Sequence, residues 1–256
     1  MEKFWGKRKS IIENLVYPVI AAVLIFFLWW LIAFIEKNPL ILPTPIEVFS
    51  ALAVLMGESS FWISVGWTVL RTLVCFVLSL VFALTFAALS GLFRPLSKFL
   101  NVLASCLRSA PTMAIILIVM LWLDENSSAI AIGFLIAFPI LYQSIYTSIC
   151  SVDKDLIEMV KVFKLSKRDI VFGLYAPQIA PTVFDVSTST LSLTLKVVIA
   201  SEVMAYVRNS IGLGMQHAKS AFDIGTLLAW TLFAIIISFL AEGAVKGLKK
   251  LWEARR

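Results

Sequence analysis

The sequence lacks the residues from which most active sites are built. It has one histidine, His217, and no set of cysteine or acidic ligands accompanies it, so we do not expect a metal site. No loop of the form Gly-x-x-x-x-Gly-Lys-Ser/Thr occurs, which excludes the common ATP-binding loop, and no nucleophile stands with a base. We therefore predict that the chain is not an enzyme and binds no cofactor or metal itself.

Cysteine and charge are also scarce. The three cysteines, Cys75, Cys106 and Cys150, show no Cys-x-x-Cys spacing and fall in or beside apolar segments, which argues against a disulfide framework. Only 15% of the residues are charged, whereas 60% are hydrophobic, compared with about 45–50% in globular proteins. The composition predicts an integral membrane protein built from helices.

Apolar runs predict six membrane spans within one transmembrane domain, 1–256, whose core covers 60–250. The predicted spans are 15–35, 67–92, 96–123, 127–150, 177–205 and 224–241. The first forms an anchor helix, 15–36, without the cleavage site of a signal peptide. Pro111 interrupts the third, the stretch through Phe61 and Trp62 is predicted to be an interfacial helix, and 208–223 is predicted to be a polar loop.

Lysine and arginine are distributed unevenly between the two sides of this arrangement. Sixteen of the 22 flank the spans on the side of the two termini, and three lie on the opposite side. Because positively charged loops stay in the cytoplasm, this bias places both termini there. The net charge of +6 is thereby explained by membrane topology, and it gives no reason to expect a nucleic-acid partner.

A charged insert, 151–177, separates the fourth and fifth spans. Its sequence predicts two short helices, the first capped by Ser151 and the second beginning at a capping box formed by Ser166 and Asp169 and stopping at Pro177. By composition alone, the insert is equally well explained as an amphipathic loop resting on lipid headgroups and as a docking element for another protein.

The order of residues in the insert resembles the cytoplasmic loop signature of permease subunits of binding-protein-dependent ABC importers. That signature has Glu-Ala-Ala, then a glycine, then Leu-Pro; here Glu158-Met159-Val160, Lys164 and Ala176-Pro177 correspond. Other motifs are similar to the sulfonate, nitrate and taurine branch of the family. They are Leu-Pro-Thr-Pro at 42–45, Arg71, Leu-Arg-Ser-Ala-Pro at 107–111, Phe138-Pro139, Ser-Val-Asp at 151–153, Ser201-Glu202 and Gly-Leu-Gly at 212–214.

The resemblance implies a type I permease fold in a bacterial plasma (inner) membrane. It also implies a second permease copy, two ABC ATPase subunits that bind ATP, and an extracytoplasmic solute-binding protein. The imported solute would be a sulfonate, nitrate, taurine or a vitamin precursor. The insert would bind the ATPases through a set of coupling residues: Asp155, Glu158, Met159, Val160, Phe163, Lys164, Leu165 and Ser166.

The insert departs from the family signature at four positions, of which Ala176 in place of leucine is the mildest. Met159 and Val160 replace two alanines and make the first short helix bulkier. Lys164 replaces the glycine, so a positive φ there would cost about 1 kcal/mol. We expect either a different turn or a tolerated strain at this position.

Charged residues inside the spans are candidates for the solute pathway, because charge in a membrane usually faces a cavity or a partner. The candidates are Arg108, Lys196 and Glu202. Lys196 is explained equally well by a pathway that favours an anionic or polar solute and by a pairing or snorkelling role. Arg71 is predicted to lie near enough to a membrane boundary to snorkel.

Two other functions remain open at this stage. A secondary transporter driven by an ion gradient would use Glu202, but such proteins ordinarily have several intramembrane acids and inverted repeats. A membrane enzyme would need a cluster of acids or histidines at one interface. Association with an ATPase distinguishes the importer from both.

Overall fold

The described part of the chain is helical, with short connections and no strand. A computed structural model describes residues 2–36, 38, 40–153, 155–156, 158–159 and 166–254. The prediction of an all-α membrane protein is confirmed, since five helices in these ranges are long and apolar enough to cross a membrane, and a bent pair makes a sixth candidate.

The helices are named in chain order. They are α1 (Glu2–Glu36), α2 (Pro45–Met56), α3 (Ser59–Leu92), α4 (Arg94–Ser109), α5 (Thr112–Met120), α6 (Glu125–Cys150), α7 (Lys167–Asp169), α8 (Ala176–Ala205), α9 (Ile211–Ser220) and α10 (Ile224–Ala254). A π-helical turn, Ile170–Tyr175, joins α7 to α8.

Two parallel helices, α3 and α6, form the centre of the fold. A Cβ atom added to Gly133 on α6 would lie 2.6 Å from the Cys75 sulfur on α3, so the two backbones approach closely here. Further along both helices, the hydroxyl groups of Ser90 and Tyr142 are 3.0 Å apart. Since both contacts advance in the same direction along the chain, the two helices run parallel.

The connection from α3 to α6 must therefore cross back. It consists of α4 and α5, which meet at an angle of 97° at Pro111. Ala104 of α4 clusters with Tyr142, while Ile116 of α5 clusters with Ile132, so the pair covers both halves of α6. The nine residues of α5 span only about 14 Å and cannot cross a membrane alone. The predicted interruption of the third span at Pro111 is confirmed, and it takes the form of a right-angle bend.

Helix α8 runs antiparallel to both α6 and α10. Ser148 on α6 donates a hydrogen bond to Thr182 on α8 at 3.2 Å, whereas a Cβ added to Gly133, earlier on α6, would lie 3.2 Å from Val198, later on α8. Asp185 on α8 accepts a hydrogen bond from Lys249 on α10 at 2.6 Å, whereas Ser192, later on α8, bonds to Ser238, earlier on α10. We call the end of the bundle that holds Glu202 the Glu202 end, and the end that holds 151–177 the insert end. The six crossings bring the end of α10 to the insert end.

The first helix lies at the edge of the bundle. Most of its described side chains are exposed and apolar, which suits contact with lipid acyl chains. It is fastened near its end, where the Trp29 indole donates to the Pro43 carbonyl oxygen at 3.1 Å and Ala33 is buried.

A capping box fixes the start of helix α2. The backbone N–H of Glu47 bonds to the Thr44 hydroxyl, and the Thr44 N–H bonds to the Glu47 carboxylate at 2.7 Å. Pro45 occupies the first turn, where its missing N–H costs no hydrogen bond.

The predicted interfacial helix through Phe61 and Trp62 is wrong. Both residues belong to the first turns of α3. The Phe61 ring is buried between Trp230 and Phe233 of α10, with ring centroids 4.7 and 4.8 Å away. This aromatic packing draws the segment into the bundle.

The prediction that a helix stops at Pro177 is also wrong. The π-helical turn leads directly into α8, and Pro177 lies in the first turn of that helix. A proline is tolerated at this position because the first N–H groups of a helix have no partner within it. At the other end of the chain, α10 extends beyond the predicted 241 to Ala254.

Candidate functional site

A cavity of about 300 Å³ lies between α8 and α10. Its lining combines apolar side chains, three hydroxyl groups and two charged groups. The lining residues are Ser192, Leu195, Lys196, Ile199, Met215, Thr231, Ala234, Ile235, Ser238, Phe239 and Glu242. Across the cavity, the hydroxyl groups of Ser192 and Ser238 are hydrogen-bonded to each other.

Lys196 is the exposed cation of this cavity. It lies nine residues before Ala205, which is about 14 Å of helix, and thus well inside a helix that is long and apolar enough to cross a membrane. Its side chain is exposed, and it forms no salt bridge with any residue in the described ranges. The structure therefore places Lys196 where a polar environment is required, and its role in the pathway stays a prediction.

The second charged group of the cavity, Glu242, is partly paired. Lys246, one turn later on α10, lies 3.5 Å from its carboxylate. Towards the insert end, Lys249 joins α10 to Asp185 of α8 at 2.6 Å. The cavity is thus bounded at the insert end by an ion pair between its two walls.

Glu202 is enclosed, unlike Lys196. Its side chain is fully buried, and the Arg71 guanidinium lies 3.0 Å from one carboxylate oxygen. The Thr68 hydroxyl lies 3.0 and 2.9 Å from the two carboxylate oxygens, and the Gly212 N–H donates to one of them at 3.4 Å. Three groups from two helices, α3 and α9, therefore make four contacts with the carboxylate. Its participation in the pathway stays a prediction.

The prediction that Arg71 snorkels to a membrane boundary is wrong. The side chain is 6% exposed because it is drawn inward to Glu202. Its second nitrogen donates to Asn126 Oδ1 at 2.8 Å and to the Arg208 carbonyl at 3.1 Å, and the first also reaches the Asn209 carbonyl at 3.4 Å. Arg71 thereby joins α3, α6 and α8 to the connection that follows α8.

Asn126 is held at the start of α6 by a cap. The Asp124 side chain accepts a hydrogen bond from the Ser127 N–H at 3.2 Å. Hydrogen bonds from Ser127, first from its side chain and then from its backbone, lower the pKa of the Asp124 carboxyl. The Asp124 carboxylate therefore stays charged at a lower pH than an ordinary aspartate does. Its negative charge is favourable there because it lies at the positive, N-terminal end of α6.

The segment 208–223, predicted to be a polar loop, contains α9, so this prediction is wrong. Ser210 caps the helix by accepting from the Leu213 N–H. A Cβ at Gly212 would be 2.4 Å from Glu202 Cβ, and one at Gly214 would be 2.5 Å from the Trp230 ring. The glycines serve close packing against α8 and α10, which sequence spacing alone does not reveal.

Arg108 lies apart from the cavity. It is exposed in the last turn of α4, just before the right-angle bend, and is not one of the cavity-lining residues. The structure does not bring it together with Lys196 and Glu202.

The described coupling residues lie on the surface of the insert end. Those are Asp155, Glu158, Met159 and Ser166, and all four are exposed. The other four predicted coupling residues lie outside the described residues: Val160, Phe163, Lys164 and Leu165. The expectation of a different turn or a strained φ at Lys164 therefore stays a prediction.

The insert is fastened to the bundle by a small apolar cluster. Val152 and Leu174 are buried against each other, and Leu156 packs on them. Since Leu156 faces inward, the exposed Asp155, Glu158 and Met159 are left for other contacts.

One predicted cap in the insert is confirmed and one is wrong. The Asp169 N–H donates to the Ser166 hydroxyl at 3.2 Å, which is the first hydrogen bond of a capping box, and the Asp169 carboxylate accepts from the same hydroxyl at 2.6 Å. Ser151 instead ends α6, with its hydroxyl donating to the Ser148 carbonyl at 2.9 Å. Asp153 is the acceptor for the N–H of Asp155, at 2.9 Å.

Solved structures show the same fold. An inward-facing methionine ABC transporter, MetNI, matches with a TM-score of 0.63 at 17% identity, covering 76% of this chain and 98% of that chain. A bacterial ABC transporter for import of the acidic polysaccharide alginate matches with a TM-score of 0.61 at 15% identity, covering 97% of this chain and 98% of that chain.

Sequence relatives point the same way. A putative aliphatic sulfonates transport permease protein, SsuC of Escherichia coli K12, is 24% identical over 83% of this chain and 81% of its own length. A putative ABC transporter permease protein of Methanocaldococcus jannaschii is 22% identical over 93% and 90%. A probable ABC transporter permease protein of Brucella abortus is 25% identical over 89% and 91%.

The family model described as "Binding-protein-dependent transport system inner membrane component" matches residues 80–252. This range includes α4 to α9, nearly all of α10, the insert and the cavity, and thus about two thirds of the chain. The chain therefore belongs to the family of inner membrane components of binding-protein-dependent transport systems.

Proposed function

We propose that the chain forms, with a second copy of itself, the membrane pathway of an importer for a small anionic or zwitterionic solute such as a sulfonate or taurine. As a permease of a binding-protein-dependent ABC importer, the chain is not itself catalytic, and the architecture implies partner ATPases and a binding protein. Our proposal goes beyond this family role in four respects: the homodimer, the solute class, the orientation in the membrane and the residues that contact each partner. It treats residues 1–256 as one transmembrane domain.

The exposed position of Lys196 carries the proposal. A lysine well inside a membrane span cannot face acyl chains without a large cost, and no residue in the described ranges pairs with it. A second permease copy that packs against this side of the bundle would turn the cavity between α8 and α10 into part of a water-filled pathway. The ammonium group would then attract an anionic group of the solute.

The relatives support this solute class. The Escherichia coli relative is named as a permease for aliphatic sulfonates. Thr231 of the cavity lining already donates to the Leu227 carbonyl, and Ser192 and Ser238 are bonded to each other, so one serine O–H remains to donate to a sulfonate oxygen. A sulfonate is thus matched by one cation and one neutral donor.

The distribution of lysine and arginine supports an orientation with both termini and the insert in the cytoplasm. The ATPase subunits would then bind the insert end, where Glu158 and Met159 are exposed. The binding protein would approach the Glu202 end from the opposite side.

We expect replacement of Lys196 by methionine to lower solute uptake by about tenfold, because an anion loses its only charged partner in the cavity. The measurement is uptake of radiolabelled taurine and of a short alkanesulfonate by proteoliposomes that contain the permease, its ATPases and its binding protein. The matched control is Lys98→Met, which removes an exposed lysine on α4 that does not line the cavity.

The control should transport like the parent chain. Unchanged uptake of both solutes by Lys196→Met would remove Lys196 from the pathway, whereas equal losses in both variants would point to a general effect of charge.

A further inference from the structure

Helix α9 covers the Glu202 end of the cavity between α8 and α10. Met215 of α9 is one of the cavity-lining residues, whereas the others belong to α8 and α10. The helix approaches α10 closely because Gly214 leaves room for the Trp230 ring, and Ala218 of the same helix is buried. A solute that enters the cavity along this wall would pass Met215.

The start of α9 is fixed by α3 and α8. The Ile211 N–H donates to the Thr68 hydroxyl at 3.0 Å, and the Gly212 N–H donates to the Glu202 carboxylate at 3.4 Å. Gly212 has room only for a hydrogen atom, since a Cβ would lie 2.4 Å from Glu202 Cβ and 2.5 Å from the Val203 nitrogen. The position of Glu202 therefore determines where α9 begins.

The backbone on both sides of α9 adopts an uncommon conformation. Tyr206 and Asn209 before the helix and Phe222 after it have positive φ angles of 53°, 49° and 57°. Non-glycine residues take this conformation at a cost and keep it when their surroundings require it. Before the helix, that requirement comes from Arg71, which binds the carbonyl groups of Arg208 and Asn209.

We propose that α9 is a movable cap on the Glu202 end of the cavity, and that Arg71 and Glu202 are positioning residues that hold it closed. The proposal rests on the proposed function, because a cap matters only where the cavity carries a solute. Arg71 binds backbone carbonyls before α9, and Glu202 accepts from a backbone N–H within it, so the pair controls where the helix lies. Opening the cap would release the strained backbone at both ends of α9.

The test measures whether the cavity can be reached from the Glu202 end. Lys196→Cys is introduced into the full-length chain, with Cys106 and Cys150, which are exposed, changed to serine and the buried Cys75 kept. A membrane-impermeant methanethiosulfonate is applied to each side of sealed vesicles in turn. Lys219→Cys, exposed on α9, identifies the side of the Glu202 end.

The variant that opens the cap is Gly212→Ala, which pushes α9 away from Glu202 and leaves every charge in place. Its matched control is Gly243→Ala on α10, where an added Cβ meets nothing within 4 Å. We expect labelling of Lys196→Cys from the Glu202 side to be slow in the parent chain and in the control. In Gly212→Ala we expect it to rise by about tenfold, because the population shifts towards the open state.

Unchanged labelling in a folded Gly212→Ala variant would overturn the proposal, as would rapid labelling from the Glu202 side in the parent chain. If Gly212→Ala does not fold, Asn126→Ala decides, since it removes one hydrogen bond to Arg71 without unpairing a charge. That variant should raise labelling by about threefold, and no rise would overturn the proposal.

The assay needs no solute, ATP or partner subunit, so its outcome is separate from that of the proposed function. Normal uptake by Lys196→Met together with increased labelling in Gly212→Ala would contradict the pathway and retain the cap. Loss of uptake in Lys196→Met without increased labelling in Gly212→Ala would support the pathway and contradict the cap.

Discussion

Replacement of Arg71 by methionine is expected to destabilise the folded chain by about 3–5 kcal/mol, because Glu202 is left as an unpaired charge in a fully buried site. The same change also removes the hydrogen bonds to Asn126 and to the carbonyl groups of Arg208 and Asn209. The loss is measured as a lower midpoint of thermal unfolding of the purified chain in detergent.

The double variant Arg71→Met/Glu202→Met should recover most of that loss. A buried ion pair contributes little net stability compared with well-packed apolar residues, whereas breaking such a pair is costly. The coupling energy from the two single variants and the double variant isolates the pair. Arg208→Met provides the control, because that side chain is exposed and only its backbone carbonyl contacts Arg71. A change of less than about 0.5 kcal/mol is expected there.

Equal destabilisation by Arg71→Met and Arg208→Met would contradict the role given to the ion pair. A double variant no more stable than Arg71→Met would show that the hydrogen bonds to the connection after α8 outweigh the charge interaction. In that case, the cap would be positioned by Arg71 alone.

The sequence could predict the membrane crossings because each depends on local composition. A run of about twenty apolar residues indicates a membrane span independently of the contacts that the rest of the chain makes. The bend at Pro111 is equally local, since proline disrupts a helix where it stands. For the same reason, Ser166 and Asp169 predicted a helix start correctly.

The buried polar centre could not be predicted in this way. Arg71 and Glu202 are separated by 131 positions in the chain, and no periodicity links them. Arg71 alone, near the start of a span, was compatible with snorkelling, and only its partner shows that it points inward. The sequence identified Glu202 as unusual without identifying what neutralises it.

The glycines of α9 illustrate a second limit. Gly212 and Gly214 lower the helix propensity of their segment, so a turn is the natural prediction from sequence. Contacts with Glu202 and Trp230 override that propensity, because only glycine allows such close approach at these positions. Tertiary packing therefore decides the secondary structure here.

The geometry also bears on the ion-gradient alternative left open by the sequence. In a secondary transporter Glu202 would need to exchange protons or bind an ion. Here its carboxylate is already engaged by Arg71, Thr68 and the Gly212 N–H. Together with membership of the importer family, this engagement argues against Glu202 as the free acid of an ion-coupled mechanism.

The combined variant Glu158→Lys/Met159→Lys should weaken binding of the ATPase subunits by about tenfold or more, because it introduces charge at the expected centre of their interface. Both residues are exposed, while the neighbouring Leu156 is held in the apolar cluster that fastens the insert, so the fold and membrane insertion should be unaffected. Co-purification of the permease with a tagged ATPase measures the association, and uptake by the reconstituted complex measures its consequence.

The control for this variant is Glu253→Lys, which reverses an exposed acid on α10 at the same end of the bundle but outside the insert. It should co-purify normally. A general repulsion between added positive charge and the ATPase would weaken both variants alike, and normal association in Glu158→Lys/Met159→Lys would place the ATPase contact elsewhere on the insert end. Loss of co-purification in the insert variant alone would mean that Glu158 and Met159 take part in the ATPase contact. Movement of the ATPases would then be transmitted to α8, which carries Lys196, through the buried contact of Val152 and Leu174.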